Sequence, residues 1–261
     1  MRIKLTYESL NGKIILPNHY NYYLQSLIYQ TFSPDLAGKL HEEGFLLGKR
    51  PFKLFTFSRI LEKGKPSKDK KFLIFDSRIT FYFSSPKEEI VENLAERSIR
   101  EREFHLLNNK IYLAQIEIVT LPRIEEKIVI KALSPITVYS TIKKENNETL
   151  IHYYKPIEED FSKLIEKNAK KKYKLIYQKE PPEDSYLHIK PLKFSVSENL
   201  KIILFKNTPI EGYTGIYEIS GTRELILSTY EAGLGNKNSE GFGMWEIWKK
   251  KEKEVRECLR K

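Results

Sequence analysis

Histidine, tyrosine and lysine are the side chains of this sequence that could move protons or hold negative charge at a reacting centre. The five histidines, at positions 19, 41, 105, 152 and 188, show no spacing typical of metal ligands. Cys258 is the single cysteine, so neither an intramolecular disulfide nor a cysteine zinc site can form. We therefore expect no metal and no cofactor, although scattered Asp and Glu residues could bind Mg²⁺ without a recognisable motif.

His41 is the first candidate for acid–base chemistry. It belongs to a helix predicted over 34–43, whose apolar stripe contains Leu36, Ala37 and Leu40. His41 lies roughly 100° from Leu40 around that helix, so it need not be buried. The C-terminal end of a helix favours a cationic imidazolium, which suits a general acid or a charge stabiliser. From the local pattern alone, an ordinary half-exposed histidine is the preferred interpretation.

Tyr29 and Lys53 are the second and third candidates. Tyr29 is displaced by roughly 140° from Leu24 on a helix predicted over 19–32, and its phenol could orient or deprotonate a hydroxyl group. An ordinary phenol pKa near 10 makes tyrosine a poor base unless cations lower that value. Lys53 opens a strand predicted over 53–61 and could hold positive charge against developing anionic oxygens. A packing tyrosine, one of 16, and a solvated lysine are the alternatives.

A glycine-rich segment, GLGNKNSEGFG, covers residues 233–243. A dinucleotide fingerprint fails because the third glycine would fall at Asn238, and no Gly-Lys-Ser/Thr follows for a phosphate loop of the Walker type. What remains is a loop between a helix and a strand whose backbone can approach a ligand closely. Its glycines are Gly233, Gly235, Gly241 and Gly243, and its hydrogen-bond donors are Asn236, Lys237, Asn238 and Ser239. The alternative is a flexible turn.

The elements that must position these residues follow one order twice. Strands are predicted over 2–9, 53–61, 71–84, 103–107, 110–121, 127–141 (bent at Pro135), 185–195, 199–206, 211–219 and 243–248. Helices are predicted over 19–32, 34–44, 87–100, 156–170 and 222–232, with the basic run 167–174 following the fourth of them.

The repeated order is β-α-β-β-α-β, which predicts an α+β protein of two tandem ferredoxin-like domains with antiparallel sheets. We place the domains at 1–122, with the catalytic candidates, and 123–261, with the glycine-rich loop and a solvated basic tail at 249–261. A single mixed α+β domain is the alternative.

The composition is basic. Lys and Arg number 45 against 35 Asp and Glu, a net charge of +10, which favours phosphate-rich partners without excluding simple solubility. The first residues alternate polar and apolar side chains, and no stretch approaches the length that spans a bilayer. With a single cysteine, a cytoplasmic protein without a membrane partner is expected.

Several blocks of the sequence resemble one family. GLGNKNSEGFGMWEI is similar to the C-terminal glycine-rich signature of the repeat-associated RNA-binding superfamily of CRISPR systems, in particular the branch that processes the repeat transcript. Blocks 18–32, 40–44, 53–60 and 133–139 resemble that branch in the same order across nearly the whole chain. No single block is decisive, but the ordered set is a strong resemblance.

The resemblance implies a metal-independent endoribonuclease that cuts CRISPR precursor RNA within its repeats. In such enzymes the 2′-hydroxyl attacks the adjacent phosphate and leaves 2′,3′-cyclic phosphate and 5′-hydroxyl ends. The family's tyrosine, histidine and lysine correspond to Tyr29 after LQSLI, His41 in LHE, and Lys53 before LFTFS. The stretch 43–52 varies in length among relatives, so Lys49 and Arg50 compete with Lys53 for the cationic role.

Repeat RNA is the expected partner, and single-stranded RNA is held by stacking, base edges and phosphate contacts. The expected RNA-binding residues are Lys49, Arg50, Lys143, Lys144, Lys171, Lys172, Gly233, Gly235, Asn236, Lys237, Asn238, Ser239, Gly241 and Gly243. A CRISPR effector complex as a further partner, and a monomer or a homodimer, are left open.

Two other classes of protein fit the sequence. One is a non-catalytic RNA-binding subunit of the same superfamily, and the other is an unrelated basic α+β interaction protein with a merely structural glycine-rich loop.

Overall fold

The computed structural model describes residues 1–143 and 149–248 of the 261-residue chain. Lys144 and the tail predicted over 249–261 lie outside the described residues. The elements of the first half are β1 Arg2–Ser9, β2 Ile14–Pro17, α1 Asn21–Thr31, α2 Pro34–Glu42, β3 Phe45–Leu47, β4 Arg50–Phe52, β5 Thr56–Phe57, β6 Lys65–Pro66, β7 Phe72–Phe75, β8 Arg78–Ser84, α3 Glu88–Arg100, β9 Phe104–Leu106 and β10 Asn109–Ile118.

The elements of the second half are β11 Lys127–Ala132, β12 Tyr139–Lys143, β13 Thr149–Tyr153, α4 Glu159–Tyr177, β14 Leu187–Pro191, α5 Val196–Asn199, β15 Leu200–Phe205, β16 Thr208–Tyr213, β17 Ile216–Gly221, α6 Arg223–Ala232 and β18 Trp245–Ile247. A single 3-10 turn, Asn238–Glu240, lies between α6 and β18.

Each half contains one main antiparallel sheet. The strand order is β5-β8-β1-β10-β9 in the first sheet and β14-β17-β11-β18 in the second. In the second sheet the first strand, β11, lies between the third and the fourth, β17 and β18, which is the ferredoxin-like order. In the first sheet β1 lies in the same way between β8 and β10, and β9 is an additional edge strand that pairs with β10. The predicted fold class, two tandem ferredoxin-like units with antiparallel sheets, is therefore confirmed. The domain boundary at 122/123 stays a prediction, although each main sheet draws its strands from one side of it.

The helices form because their apolar residues recur at helical spacing and meet a sheet. In α1, Leu24, Leu27 and Ile28 are buried in the core of the first half, with Ile3 and Leu5 of β1. In α4 the buried positions Phe161, Ile165, Ala169 and Tyr173 follow one another at intervals of four residues and pack in the core of the second half.

That stripe corrects one prediction. The basic run 167–174 was expected after the fourth helix, but it lies inside α4, because Ala169 and Tyr173 continue the apolar face through it. The lysines of the run are consequently distributed around a helix, and Lys172 points inward with 3% of its surface exposed.

Four predicted strands are wrong in extent. The strand predicted over 211–219 is divided between the end of β16 and the start of β17. The strand predicted over 53–61 is reduced to β5, and Leu54 just before it has a φ of +51°. The strand predicted over 71–84 divides into β7, which pairs with β2, and β8, which pairs with β1. The strand predicted over 127–141 ends at Ala132, and Tyr139–Lys143 forms a separate hairpin with Thr149–Tyr153.

Arg2 joins the two halves. Its side chain leaves β1 and is buried in the second half, where the guanidinium donates to the carbonyls of Trp245 at 2.8 Å and Tyr230 at 2.6 Å. The guanidinium carbon lies 3.6 Å from the centroid of the Tyr230 ring. Burial lowers the pKa of Arg2 to about 10. The buried guanidinium keeps its charge because two carbonyls and the face of the Tyr230 ring replace the water molecules that would otherwise solvate it.

Replacing Arg2 with Ala should lower the free energy of unfolding by about 3 kcal/mol, because two buried carbonyls lose their donor and a cavity opens beside Tyr230. Denaturant-induced unfolding measures the change. Arg100→Ala is the matched control, since this arginine is exposed on α3 and its loss should cost less than about 0.5 kcal/mol. Equal effects of the two substitutions would contradict a structural role for Arg2.

Candidate active site

The glycine-rich loop folds back on itself between α6 and β18. The Leu234 amide donates to the Gly243 carbonyl at 2.8 Å, and the Gly243 amide donates to the Pro135 carbonyl at 2.9 Å. Gly235 and Gly243 have φ values of +65° and +77°, and an added Cβ would lie 2.4 Å from the Thr137 carbonyl oxygen and 2.0 Å from that of Leu234. Both positions therefore require glycine for conformation and for close approach.

The Lys172 ammonium lies inside this loop. Its Nζ donates to the Gly233 carbonyl at 2.5 Å, the Gly235 carbonyl at 3.2 Å and Asn238 Oδ1 at 2.7 Å. Asn238 in turn donates to the carbonyls of Leu234 and Phe242. Burial, and secondarily the charge of Arg50, lowers the pKa of Lys172 well below its usual value. Lys172, predicted to contact RNA, has its ammonium engaged within the protein and holds the loop in shape.

The loop packs on α1 and β5 of the first half. Asn21 donates to the Glu240 carbonyl at 2.9 Å and Gln25 donates to the Ser239 carbonyl at 2.7 Å. Thr56 donates to the Phe242 carbonyl at 3.0 Å. The position of α1 against the second half is thereby set by backbone carbonyls of the glycine-rich loop.

Tyr29 is held on the opposite end of α1 by aromatic packing. Its ring meets Phe32 and Phe55 edge to face, with centroids 5.8 and 5.9 Å away, and the His41 ring in the same manner at 6.3 Å. Burial raises the pKa of Tyr29 to about 12. The phenol is therefore protonated at neutral pH and acts as a hydrogen-bonding group there.

His41 and Lys53 are joined at the end of α2. The Lys53 ammonium donates to the His41 carbonyl at 2.9 Å, one of the carbonyls that a helix leaves unpaired at its C-terminus. Gly44 ends the helix with a φ of +63°, and its amide bonds to the Lys39 carbonyl. A Cβ at Gly44 would lie 3.2 Å from the Lys53 side chain. The His41 imidazole itself is exposed, and burial lowers the pKa of Lys53.

Tyr29, His41 and Lys53 line one cavity of about 510 Å³ between the two halves. The remaining walls come from α1, from the β15–β16 hairpin and from the glycine-rich loop; they are Tyr22, Gln25, Ser26, Phe205, Lys206, Thr208, Ile210, Lys237, Ser239 and Glu240. A second cavity of about 350 Å³ shares Lys53, Lys237, Ser239 and Glu240 with the first. The two cavities therefore adjoin, and their shared wall carries two lysines.

The other predicted RNA-binding residues fall in different places. Arg50 and the glycine-rich loop residues Gly235, Asn236, Lys237, Asn238 and Ser239 line the second cavity. Lys49 is exposed just before β4, and Lys171 is half-buried on α4, where burial, Arg50 and Lys167 lower its pKa. Gly233, Gly241 and Gly243 are buried, and Lys143 ends β12.

Sequence reasoning missed part of the site. Ser26 precedes Tyr29 by three residues, so helical spacing was a sufficient signal for it. The β15–β16 hairpin had no such signal, because its approach to α1 joins segments about 180 residues apart through tertiary packing. Glu240 was not among the predicted site residues, because the loop was searched for hydrogen-bond donors to RNA and a carboxylate is an acceptor.

Comparison with known proteins assigns the family. The family description "CRISPR-associated protein Cas6, N-terminal" matches residues 15–117, and "CRISPR associated protein Cas6, C-terminal" matches residues 115–247. The chain belongs to the Cas6 family. The earlier resemblance to the CRISPR repeat-processing branch is thereby confirmed.

Individual Cas6 proteins are similar over nearly the whole chain. "CRISPR-associated endoribonuclease Cas6" of Pyrococcus furiosus is 29% identical over 94% of this chain and 88% of its own length. The endoribonuclease-like protein Cas6nc of Pyrococcus horikoshii is 29% identical over 95% of this chain and 99% of its own length. A solved structure titled "An RAMP protein binding different RNA substrates" superposes with a TM-score of 0.80 at 27% identity, covering 95% of this chain and 100% of that one.

Two features are absent from the part of the chain that the structure describes. Its helices are too short or too polar to cross a bilayer. The same residues contain no group of three or more His, Cys, Asp or Glu side chains placed to share a metal ion.

Neighbouring lysines of α4 provide a test of the loop. Lys172→Met should lower the free energy of unfolding by about 2 kcal/mol, because three buried acceptors lose their donor while the aliphatic bulk remains. Lys171→Met should change it by less than about 0.5 kcal/mol, since that side chain is partly solvated. Chemical denaturation measures both, and a Lys172→Met protein as stable as wild type would show that the loop does not depend on the ammonium.

Proposed function

We propose that this protein is a sequence-specific, metal-independent endoribonuclease that cleaves CRISPR precursor RNA within its repeats to produce mature guide RNAs. The observation that carries the proposal is the joint exposure of Tyr29, His41 and Lys53 in one cavity. Relatives named CRISPR-associated endoribonuclease Cas6 support the activity and the substrate.

The proposed reaction uses the RNA's own nucleophile. The 2′-hydroxyl oxygen forms a bond to the adjacent phosphorus as the bond to the 5′-oxygen breaks, which gives a 2′,3′-cyclic phosphate and a 5′-hydroxyl. One proton leaves the 2′-hydroxyl and another reaches the departing 5′-oxygen. His41 is assigned the second transfer, because its exposed imidazole reaches into the cavity while its backbone is fixed by Lys53.

Tyr29 and Lys53 are assigned supporting roles. With its pKa raised to about 12, the Tyr29 phenol orients the 2′-hydroxyl by hydrogen bonding and is not its base at neutral pH. The Lys53 ammonium uses one of its three donors on the His41 carbonyl, so two remain for the oxygens of the pentacoordinate phosphorus.

The RNA backbone is proposed to run along the shared wall of the two cavities. Lys237 and Lys53 lie at that wall, Arg50 lines the second cavity, and Lys171 and Lys49 extend the positive surface. Lys143, the last residue of β12, belongs to the proposed set. Lys144 belongs to it as well and lies outside the described residues. Affinity that depends on phosphate contacts falls as salt is raised.

RNA is the partner that this proposal requires. An effector complex as a further partner, the choice between monomer and homodimer, and a cytoplasmic location stay predictions.

A non-catalytic RNA-binding subunit is the second candidate. The observation in its favour is that the phenol of Tyr29 is a poor base and that the Lys53 ammonium already has a protein partner. The names of two similar proteins agree with it, since one is called endoribonuclease-like and the other is described as binding different RNA substrates.

Cleavage of a repeat RNA in EDTA separates the two candidates. Wild-type protein should cut it, and a single 2′-deoxynucleotide 5′ to the cut should abolish cleavage, because the attacking group is removed. His41→Ala should lower the single-turnover rate at least about 100-fold and leave the affinity within about threefold, because the Lys53 contact is to the backbone and survives the substitution.

His105→Ala is the matched control, since this histidine is exposed on β9, away from the cavity. Tight binding without any cleavage would support the second candidate. An equal fall in rate and affinity for His41→Ala would make His41 a contact residue.

The pH dependence of Tyr29→Phe tests the role of the phenol. For a group with a pKa of about 12, the ionised fraction rises about tenfold with each unit of increasing pH below that value. If Tyr29 orients the hydroxyl, the ratio of wild-type to Tyr29→Phe cleavage rates should be constant between pH 6 and 9, at about tenfold or more. A ratio that climbs about tenfold with each pH unit would identify Tyr29 as the base.

A further inference from the structure

Glu240 is out of place in a site built for phosphate. Among the described residues that line the two cavities, it is the single acidic one, and it borders both. A carboxylate beside a phosphodiester repels it. A substrate group that donates hydrogen bonds, in contrast, is one that a carboxylate at this position can bind.

The structure fixes Glu240 firmly. Its carbonyl accepts from Asn21 at 2.9 Å, and both carboxylate oxygens receive the Lys237 ammonium, at 3.2 and 3.3 Å. The side chain is 23% exposed and lines both cavities. Burial raises the pKa of Glu240, while Lys237 and Lys206 act in the opposite direction. Each oxygen retains a lone pair for a further donor.

An aromatic ring on α1 lines the first of these cavities together with Glu240. Tyr22 is 36% exposed, and its ring is braced edge to face by Phe205 at 5.7 Å and by Tyr23 at 5.4 Å. Exposed, braced rings of this kind stack on single-stranded bases. The Lys206 ammonium lies 5.4 Å from the centroid of the Tyr22 ring. Because the lysine side chain is flexible, a base that stacks on Tyr22 can displace it, and the ammonium can then contact a phosphate.

Base edges are the substrate groups that donate to a carboxylate. Guanine presents two adjacent donors, N1–H and the N2 amino group, which match the two oxygens of one carboxylate. Adenine and cytosine each offer one amino group, and uracil offers one imino proton between two carbonyls that the carboxylate would repel. A carboxylate with a stacking ring therefore selects guanine.

We propose that Tyr22 and Glu240 form a guanine-reading subsite for a nucleotide next to the scissile phosphate. This inference rests on the proposed function for its substrate class, since the cavity that contains the subsite also contains Tyr29, His41 and Lys53. Tyr22 stacks on the base, and Glu240 accepts from its Watson–Crick edge.

An inosine scan tests the subsite independently of cleavage. Each guanosine of the repeat is replaced singly by inosine, which lacks the N2 amino group, in an RNA made uncleavable by a 2′-deoxynucleotide at the cut. Binding is measured by fluorescence anisotropy. At one position beside the cut, replacing guanosine with inosine should weaken binding to the wild-type protein about tenfold. The same replacement should leave binding to Glu240→Gln unchanged, because the amide NH₂ of glutamine faces the donors of guanine instead of accepting from them.

Two further variants assign the contributions. Tyr22→Ala should weaken binding of both RNAs about tenfold while keeping the inosine effect, because stacking does not depend on the N2 amino group. Glu218→Gln is the matched control, since Glu218 pairs with Lys127 and Lys190 away from the cavity, and it should leave the scan unchanged. Circular dichroism and thermal melting establish that each variant is folded.

The proposal is overturned if every inosine substitution that weakens binding to the wild-type protein weakens binding to Glu240→Gln equally. It is also overturned if Glu240→Gln cleaves all RNAs more slowly with unchanged affinity, because the carboxylate would then act in the chemistry. Failure of the wild-type protein to cut the unmodified repeat counts against the proposed function alone, because the scan reports on binding.

Discussion

The Lys172 ammonium, enclosed by the glycine-rich loop, is the contact on which the rest of the site depends. Three acceptors surround it, and buried acceptors of this kind are normally paired with a donor in folded proteins. The loop so formed presents its outer carbonyls to Asn21 and Gln25 of α1. One lysine of the second half thus shapes the loop that contacts the helix carrying Tyr29.

The cavity combines two kinds of support. Tyr29 is positioned by aromatic packing and Lys53 by the unpaired carbonyl at the end of α2, so both are fixed from the protein side. The His41 imidazole meets the Tyr29 ring edge to face and is otherwise exposed, so a substrate can reach it. Because fixed groups need little reorganisation during a reaction, this division suits a reaction in which the protein mainly positions the RNA and stabilises charge.

Local patterns predicted most of the regular elements and, with the family resemblance, the trio that shares the cavity. The helices α1, α2 and α3 and the strand β1 follow directly from periodicity. Patterns failed where tertiary contacts decide: Lys172 reads as a surface charge until Ala169 and Tyr173 are seen to face a core, and Leu54 interrupts a strand through a positive φ that leucine rarely adopts. The hairpin wall and Glu240 depend on contacts between distant segments, which no periodicity encodes.

The Arg2 joint has a consequence for synthesis on the ribosome. The carbonyl of Trp245, one of its two acceptors, lies 243 residues further along the chain. While translation proceeds, β1 can pair with β8 and β10, but its guanidinium has no place to be buried until α6 and β18 have emerged. The native burial of Arg2 therefore requires the chain through β18, the strand that supplies one of its two acceptors.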